Sequence, residues 1–132
     1  MGGTEADSTI LIVEDDAGAR GDLQTLLETH GYPTVGAGDG LSAINLLRSG
    51  MRPRLILLDM ILPGADGWQF CAERLRDSAL AKLPVIIMTG VGIASRDWAK
   101  GLGAADLLRK PIDVPRLLDM VETYAGPETD PL

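Results

Sequence analysis

The chain has 132 residues, 45% apolar and 23% charged, with a net charge of −7, which fits one globular domain with no room for a second folded module. No apolar run reaches the ~20 residues of a membrane span, and one cysteine (Cys71) with one histidine (His30) allows neither an internal disulfide nor a transition-metal cluster. The acidic balance argues against direct nucleic-acid binding, which needs clustered Lys and Arg.

Residues 1–8 lack the basic start and apolar stretch of a secretory signal. They read as a flexible lead, and the expected location is cytoplasmic with no membrane contact. Ile10-Leu11-Ile12-Val13 is the first strand-like run and leads into Glu14-Asp15-Asp16. A helix follows with Ala19, Leu23, Leu26 and Leu27 on one face, stopped by Gly31. Thr34-Val35-Gly36-Ala37 is a weak second strand, and Ala43, Ile44 and Leu47 mark a second helix ending near Gly50. The third run, Leu55-Ile56-Leu57-Leu58, ends on Asp59; beyond it Trp68, Cys71, Ala72 and Leu75 recur at i, i+3, i+4 and i+7, predicting the apolar face of a third helix.

Val85-Ile86-Ile87-Met88 then runs into Thr89-Gly90, and a short fourth helix is expected from Ile93 to Lys100 with Ala94 and Trp98 inward. Leu107-Leu108 runs into Arg109-Lys110-Pro111. A fifth helix places Val114, Leu117, Leu118 and Val121 on its apolar face, with Asp113 as N-cap and Pro115 in the first turn. Residues 126–132 form a turn-rich tail, leaving 9–125 as the domain. Strands alternating with helices predict an α/β fold, a doubly wound (βα)5 parallel sheet. Runs one, three and four are continuously apolar, whereas two and five are broken by Gly36 and Asp106, so the weak pair belongs at the edges. By analogy with flavodoxin-like folds the strand order is 2-1-3-4-5.

In that order the ends of strands one, three, four and five are neighbours, and ligands of such sheets bind beyond the carboxyl ends of the strands. Glu14, Asp15, Asp59, Thr89 and Lys110 would therefore share one crevice. Two like charges 4 Å apart repel by ~4 kcal/mol at an effective dielectric of 20. A hard divalent cation such as Mg²⁺ relieves that repulsion. The set suits capture of a phosphoryl group: Asp59 attacks, Mg²⁺ and Lys110 neutralise the equatorial oxygens, and Thr89 hydrogen-bonds one of them. Taken singly, each residue is ordinary, as a solvated acidic loop, a surface lysine or a turn hydroxyl; the conjunction at successive strand ends carries the inference. His30, Cys71, Trp68 and Trp98 read as a helix cap, a core residue and two packing or interface anchors, without chemistry.

From Thr9 to Tyr124 the chain resembles the receiver domain of two-component response regulators, the CheY-like fold of the chemotaxis receiver. The resemblance rests on Ile10-Leu11-Ile12-Val13-Glu14-Asp15-Asp16, on Leu58-Asp59-Met60-Ile61-Leu62-Pro63-Gly64-Ala65-Asp66-Gly67, on Met88-Thr89-Gly90 and on Arg109-Lys110-Pro111. It implies that Asp59 accepts a phosphoryl group from a histidine kinase or phosphotransfer protein. It also implies that the Ile61 carbonyl joins Glu14, Asp15 and Asp59 around Mg²⁺, and that the Lys110–Pro111 peptide is cis. One departure is Leu107, where the family usually carries an aromatic switch residue three positions before the lysine. Another is the lack of an effector domain, which implies a stand-alone receiver or a receiver cut from a longer protein.

The expected function is a phosphorylation-dependent switch that changes binding to a downstream protein and catalyses only its own phosphorylation and dephosphorylation. Self-association on phosphorylation is left open. The alternative within the class is a relay intermediate that passes the phosphoryl group to a second histidine. A magnesium-dependent phosphatase of the aspartate-nucleophile type would carry a second Asp where this chain has Ile61. A nucleotide or flavin binder would want a Gly- or Ser-rich loop where Glu14-Asp15-Asp16 would repel phosphate.

Overall fold

The computed structural model describes residues 9–60, 65–92 and 94–126. Strands β1 (Ile10–Val13), β2 (Thr34–Ala37), β3 (Leu55–Asp59), β4 (Val85–Thr89) and β5 (Asp106–Arg109) alternate with helices α1 (Ala17–Thr29), α2 (Gly40–Arg48), α3 (Ala65–Arg76), α4 (Ser78–Ala81), α5 (Arg96–Gly101) and α6 (Val114–Ala125). The strands form one sheet in the order β2-β1-β3-β4-β5, with every pairing parallel. That is the expected flavodoxin-like arrangement, with the two interrupted strands at its edges.

Alternation along the strands builds two apolar layers. Leu11, Val13, Ile56, Leu58, Val85 and Ile87 pack with Ile44 and Leu47 of α2 and Phe70 and Cys71 of α3. Their neighbours Ile10, Ile12, Leu55, Leu57, Ile86 and Met88 pack on the opposite side with Leu27 of α1 and Leu117, Met120 and Val121 of α6. Each such side chain removed from water contributes ~1.5–3 kcal/mol. A rigid, doubly covered β1-β3-β4 centre results, and the strand ends project from it.

Helix starts follow side-chain oxygens that satisfy the first free amides. Asp16 Oδ1 accepts from the Gly18 and Ala19 amides at 2.9 and 3.2 Å. Asp39 Oδ1 accepts from Ser42 at 2.7 Å, and Ser95 Oγ from Trp98 at 3.1 Å. Helix α1 stops as expected, with His30 at its C-cap and Gly31 at φ 90.

Several expectations need correction. The buried face of α3 is Gly67, Phe70, Cys71 and Arg74, whereas Trp68, Ala72 and Leu75 are exposed. Both sets have helical spacing, and a charged residue at 74 hid the true one. Arg74 is only 2% exposed, its guanidinium donating to the carbonyls of Ala81 and Gly103. Helix α5 begins at Arg96 rather than Ile93, because Ser95 caps it; Ile93 itself lies outside the described residues. Val114 is exposed, and Asp113 holds the N-cap position of α6 without a capping hydrogen bond. The four-residue α4, capped by Asp77, is too short to show an apolar period in sequence. The expected lead and the tail beyond Gly126 lie outside the described residues.

Candidate functional site

Strand register brings the polar residues together. Val13 is level with Leu58, so Glu14 and Asp59, one residue beyond each, are level too. Asp59 pairs with Met88 and Thr89 with Arg109. Thr89 and Lys110 therefore each stand one step beyond the residue paired with the preceding strand. Backbone hydrogen bonds continue past the strand ends: Glu14 N–H donates to Ala37 at 3.0 Å, Met60 N–H to Met88 at 2.9 Å and Lys110 N–H to Thr89 at 2.8 Å. The site is thus held from beneath by the sheet.

The Glu14 and Asp59 side chains are 4% and 3% exposed, and the Lys110 ammonium lies 2.6 Å from Asp59 Oδ1 and 3.6 Å from Glu14 Oε1. This contact is an ion pair without a hydrogen bond's alignment, for buried Asp59 Oδ1 has no hydrogen-bond partner. One oxygen each from Glu14, Asp15 and Asp59 lies within 4.8 Å of the others. Thr89 is fully buried, and its Oγ1 accepts from the Val91 amide at 3.1 Å. Of the residues expected from sequence, Glu14, Asp15, Asp59 and Lys110 thus converge, and register puts Thr89 on the adjoining strand end. Ile61 lies outside the described residues.

Electrostatics reflect the crowding. Burial first, then the neighbouring Asp59 carboxylate, pushes Glu14 up to about 7, with the Asp16 amide and then Lys110 acting in the other direction. Burial alone would lower Lys110, but Asp59 and then Glu14 outweigh it and hold the ammonium above its ordinary value. Three carboxylates answered by one lysine leave excess negative charge. This all-oxygen donor set, with Asp59 Oδ1 buried and ion-paired to Lys110, fits a hard divalent cation rather than a soft one.

The Lys110–Pro111 peptide is cis, as the resemblance implied. Leu107 is buried in the sheet's apolar layer, where it offers no hydroxyl. Cys71 is buried and unpaired, and burial pushes its thiol up to about 11, consistent with packing alone. Trp68 and Trp98 meet edge-on with ring centroids 6.2 Å apart, which ties α3 to α5.

Two arginines at this end escaped the sequence reading. Arg20 Nη1 donates to the Glu14 carbonyl at 2.6 Å, its stem crossing Gly36 so closely that a Cβ there would lie 2.9 Å from Arg20 Cδ. That glycine in β2, opposite an arginine on the facing helix, was the available signal. Arg109 binds the carbonyls of Val91, Gly92 and Ala94, for which sequence offers no signal, since it joins segments that only the fold brings together.

A family model described as the response regulator receiver domain matches residues 10–122. The chain is similar to the probable transcriptional regulator ycf27 of Guillardia theta, 39% identical over 81% of this chain and 41% of that protein. It is also similar to the protein PilH of Pseudomonas aeruginosa, 34% identical over 85% of this chain and 93% of that protein. The chain therefore spans less than half of the first relative and nearly all of the second. Among solved structures, the signal receiver domain of a signal transduction histidine kinase from Syntrophus aciditrophicus superposes with a TM-score of 0.78 at 31% identity, covering 94% of this chain and 96% of that one. Among the described residues no helix is long and apolar enough to cross a membrane.

Proposed function

The chain belongs to the response regulator receiver domain family, and on that premise we propose that it is a signalling switch whose phosphoacceptor is Asp59. A carboxylate oxygen of Asp59 attacks the phosphorus of a phosphohistidine on a histidine kinase or phosphotransfer protein. The new P–O bond forms as the P–N bond breaks, and the imidazole leaves with the electron pair and takes up a proton. The observation that carries this reading is Asp59 Oδ1 itself, buried, without a hydrogen bond and 2.6 Å from the Lys110 ammonium. Such an atom is desolvated and poised beside the charge that its product would need.

Lys110 neutralises the transferred group, and Thr89 offers its hydroxyl proton to one of its oxygens. A divalent cation held by Glu14, Asp15 and Asp59, Mg²⁺ by its donor chemistry, supplies further charge neutralisation. The protein turns over no external substrate and acts by binding a downstream protein differently in its two states. Incubation with acetyl phosphate and Mg²⁺ should add one phosphate by intact mass, with uptake reduced more than ~100-fold in Asp59→Asn, because removing the nucleophile removes the covalent step. Full labelling of Asp59→Asn would overturn the assignment.

A further inference from the structure

Arg109, the last residue of β5, turns away from the charged crevice and reaches the loop after β4. Its Nη1 lies 3.1 Å from the Val91 carbonyl and 3.2 Å from that of Gly92, and Nη2 donates to the Ala94 carbonyl. Few side chains but arginine could do this, since its planar fork presents several donors at fixed angles, whereas lysine is a single point charge. The loop so held is the one that orients Thr89. Val91 N–H donates to Thr89 Oγ1 at 3.1 Å.

A threonine hydroxyl has one proton and two acceptor lone pairs. With one lone pair occupied by Val91, the rotamer of the buried hydroxyl follows the position of that amide, and its proton remains free for another acceptor. The position of Val91 in turn follows Arg109. Leu107, buried and apolar on the same strand, contributes nothing to this chain of hydrogen bonds. We propose that Arg109 is a positioning residue for phosphoryl capture: by holding the Val91, Gly92 and Ala94 carbonyls it sets the Val91 amide, which aims the Thr89 hydroxyl at the incoming group. This rests on the reading of Asp59 as phosphoacceptor.

An arginine that merely fastened the loop would lower stability without acting through Thr89, so a double-mutant cycle separates the two roles. Beryllofluoride with Mg²⁺ serves as the phosphoryl mimic, titrated into the full chain with amide NMR signals as readout. Arg109→Met should bind ~5-fold more weakly, about the worth of one well-placed hydrogen bond, and Arg109→Lys should recover part of the loss. Thr89→Ala should bind ~10-fold more weakly, and adding Arg109→Met to it should change affinity by less than ~2-fold.

The ligand-free protein supplies an arm independent of the mimic: the Val91 amide should exchange with solvent faster in Arg109→Met than in the unmodified chain, with the β3 amides unchanged. Unaltered affinity in Arg109→Met, a loss that persists undiminished in the Thr89→Ala background, or unaltered Val91 exchange would each overturn the proposal. No binding by the unmodified chain, with Val91 exchange altered as expected, would instead overturn the phosphoacceptor reading.

Discussion

At the ends of β1 and β3, short carboxylates meet because their strands are in register; at the ends of β4 and β5, long arginines reach across to backbone carbonyls. Glu14 and Asp59 need no reach, since consecutive parallel strands set ~4.8 Å apart deliver them to one point. Around the last two strands, Arg109 spans from the carboxyl end of β5 to Val91, Gly92 and Ala94, Arg74 reaches the Ala81 and Gly103 carbonyls that precede β4 and β5, and Arg96 pairs with the Asp106 carboxylate at 3.1 Å. A groove of about 550 Å³ opens there, lined by Arg96, Leu107, Arg109 and Arg116 among others. The first region is pre-paid by the sheet and crowded with like charge. Loops and a short helix make up much of the second, and guanidinium groups hold them.

The comparison breaks most readily at Arg74. If guanidinium-to-carbonyl bonds hold the second region, Arg74→Ala should lower unfolding free energy by about 3 kcal/mol, because it opens a cavity and strands two carbonyls. Urea unfolding at neutral pH measures this, and a loss below ~1 kcal/mol would show that the bonds hold little. In the first region charge crowding is the defining property, so Asp15→Asn should weaken Mg²⁺ binding by about tenfold, as a solvent-screened unit charge near the ion would. Isothermal titration reads it, and unchanged affinity would remove Asp15 from the ion's surroundings.

A smaller effect sharpens the same contrast through pH. Glu14 is raised from 4.5 to about 7, so the folded metal-free protein binds this proton more tightly than the unfolded chain does. Its stabilising contribution is complete below pH 4.5 and is lost as pH rises through 7. Metal-free protein should accordingly lose on the order of 1 kcal/mol between pH 5 and 8, a slope that Glu14→Gln should flatten; an equal slope in that variant would place the titration elsewhere. The smallest effect belongs to Arg96→Ala, at most ~0.5 kcal/mol by thermal or urea unfolding, because the Arg96 side chain is 60% exposed, although that of Asp106 is only 22% exposed. A loss above ~1 kcal/mol would show that this pair braces the second region as Arg74 does.

The two regions also differ in how legible they were. Glu14, Asp15, Asp59, Thr89 and Lys110 stand within two residues of the ends of short apolar runs, so finding those runs locates them without coordinates. Arg74 defeated that procedure. Its charge argued for solvent, and the competing set Trp68, Ala72 and Leu75 matched the helical period equally well, so the face of α3 was misassigned by about one residue's rotation. Val114 misled for the opposite reason, being apolar yet placed in the exposed first turn of α6.

The amino-acid sequence by itself determined the number of strands, which of them are interrupted and so suit the edges, and which carboxylates and lysine stand at their carboxyl ends, because apolar periodicity and turn chemistry are local properties of the chain. The strand order came by analogy with flavodoxin-like folds and is a matter of tertiary pairing. Only the tertiary structure decided that Lys110 sits against Asp59, that Glu14 is buried enough to hold its proton near neutrality, and that Arg20, Arg74 and Arg109 satisfy particular carbonyls. Those outcomes depend on distances between groups 6 to 96 residues apart, set when two helical layers close on the sheet. Even the nearer pairs, Arg20 with Glu14 and Arg74 with Ala81, join separate elements whose mutual placement the local pattern does not fix. A long, flexible, always-charged side chain reads as solvent-facing in sequence; only packing shows when its stem is buried and its head is spent on backbone oxygen.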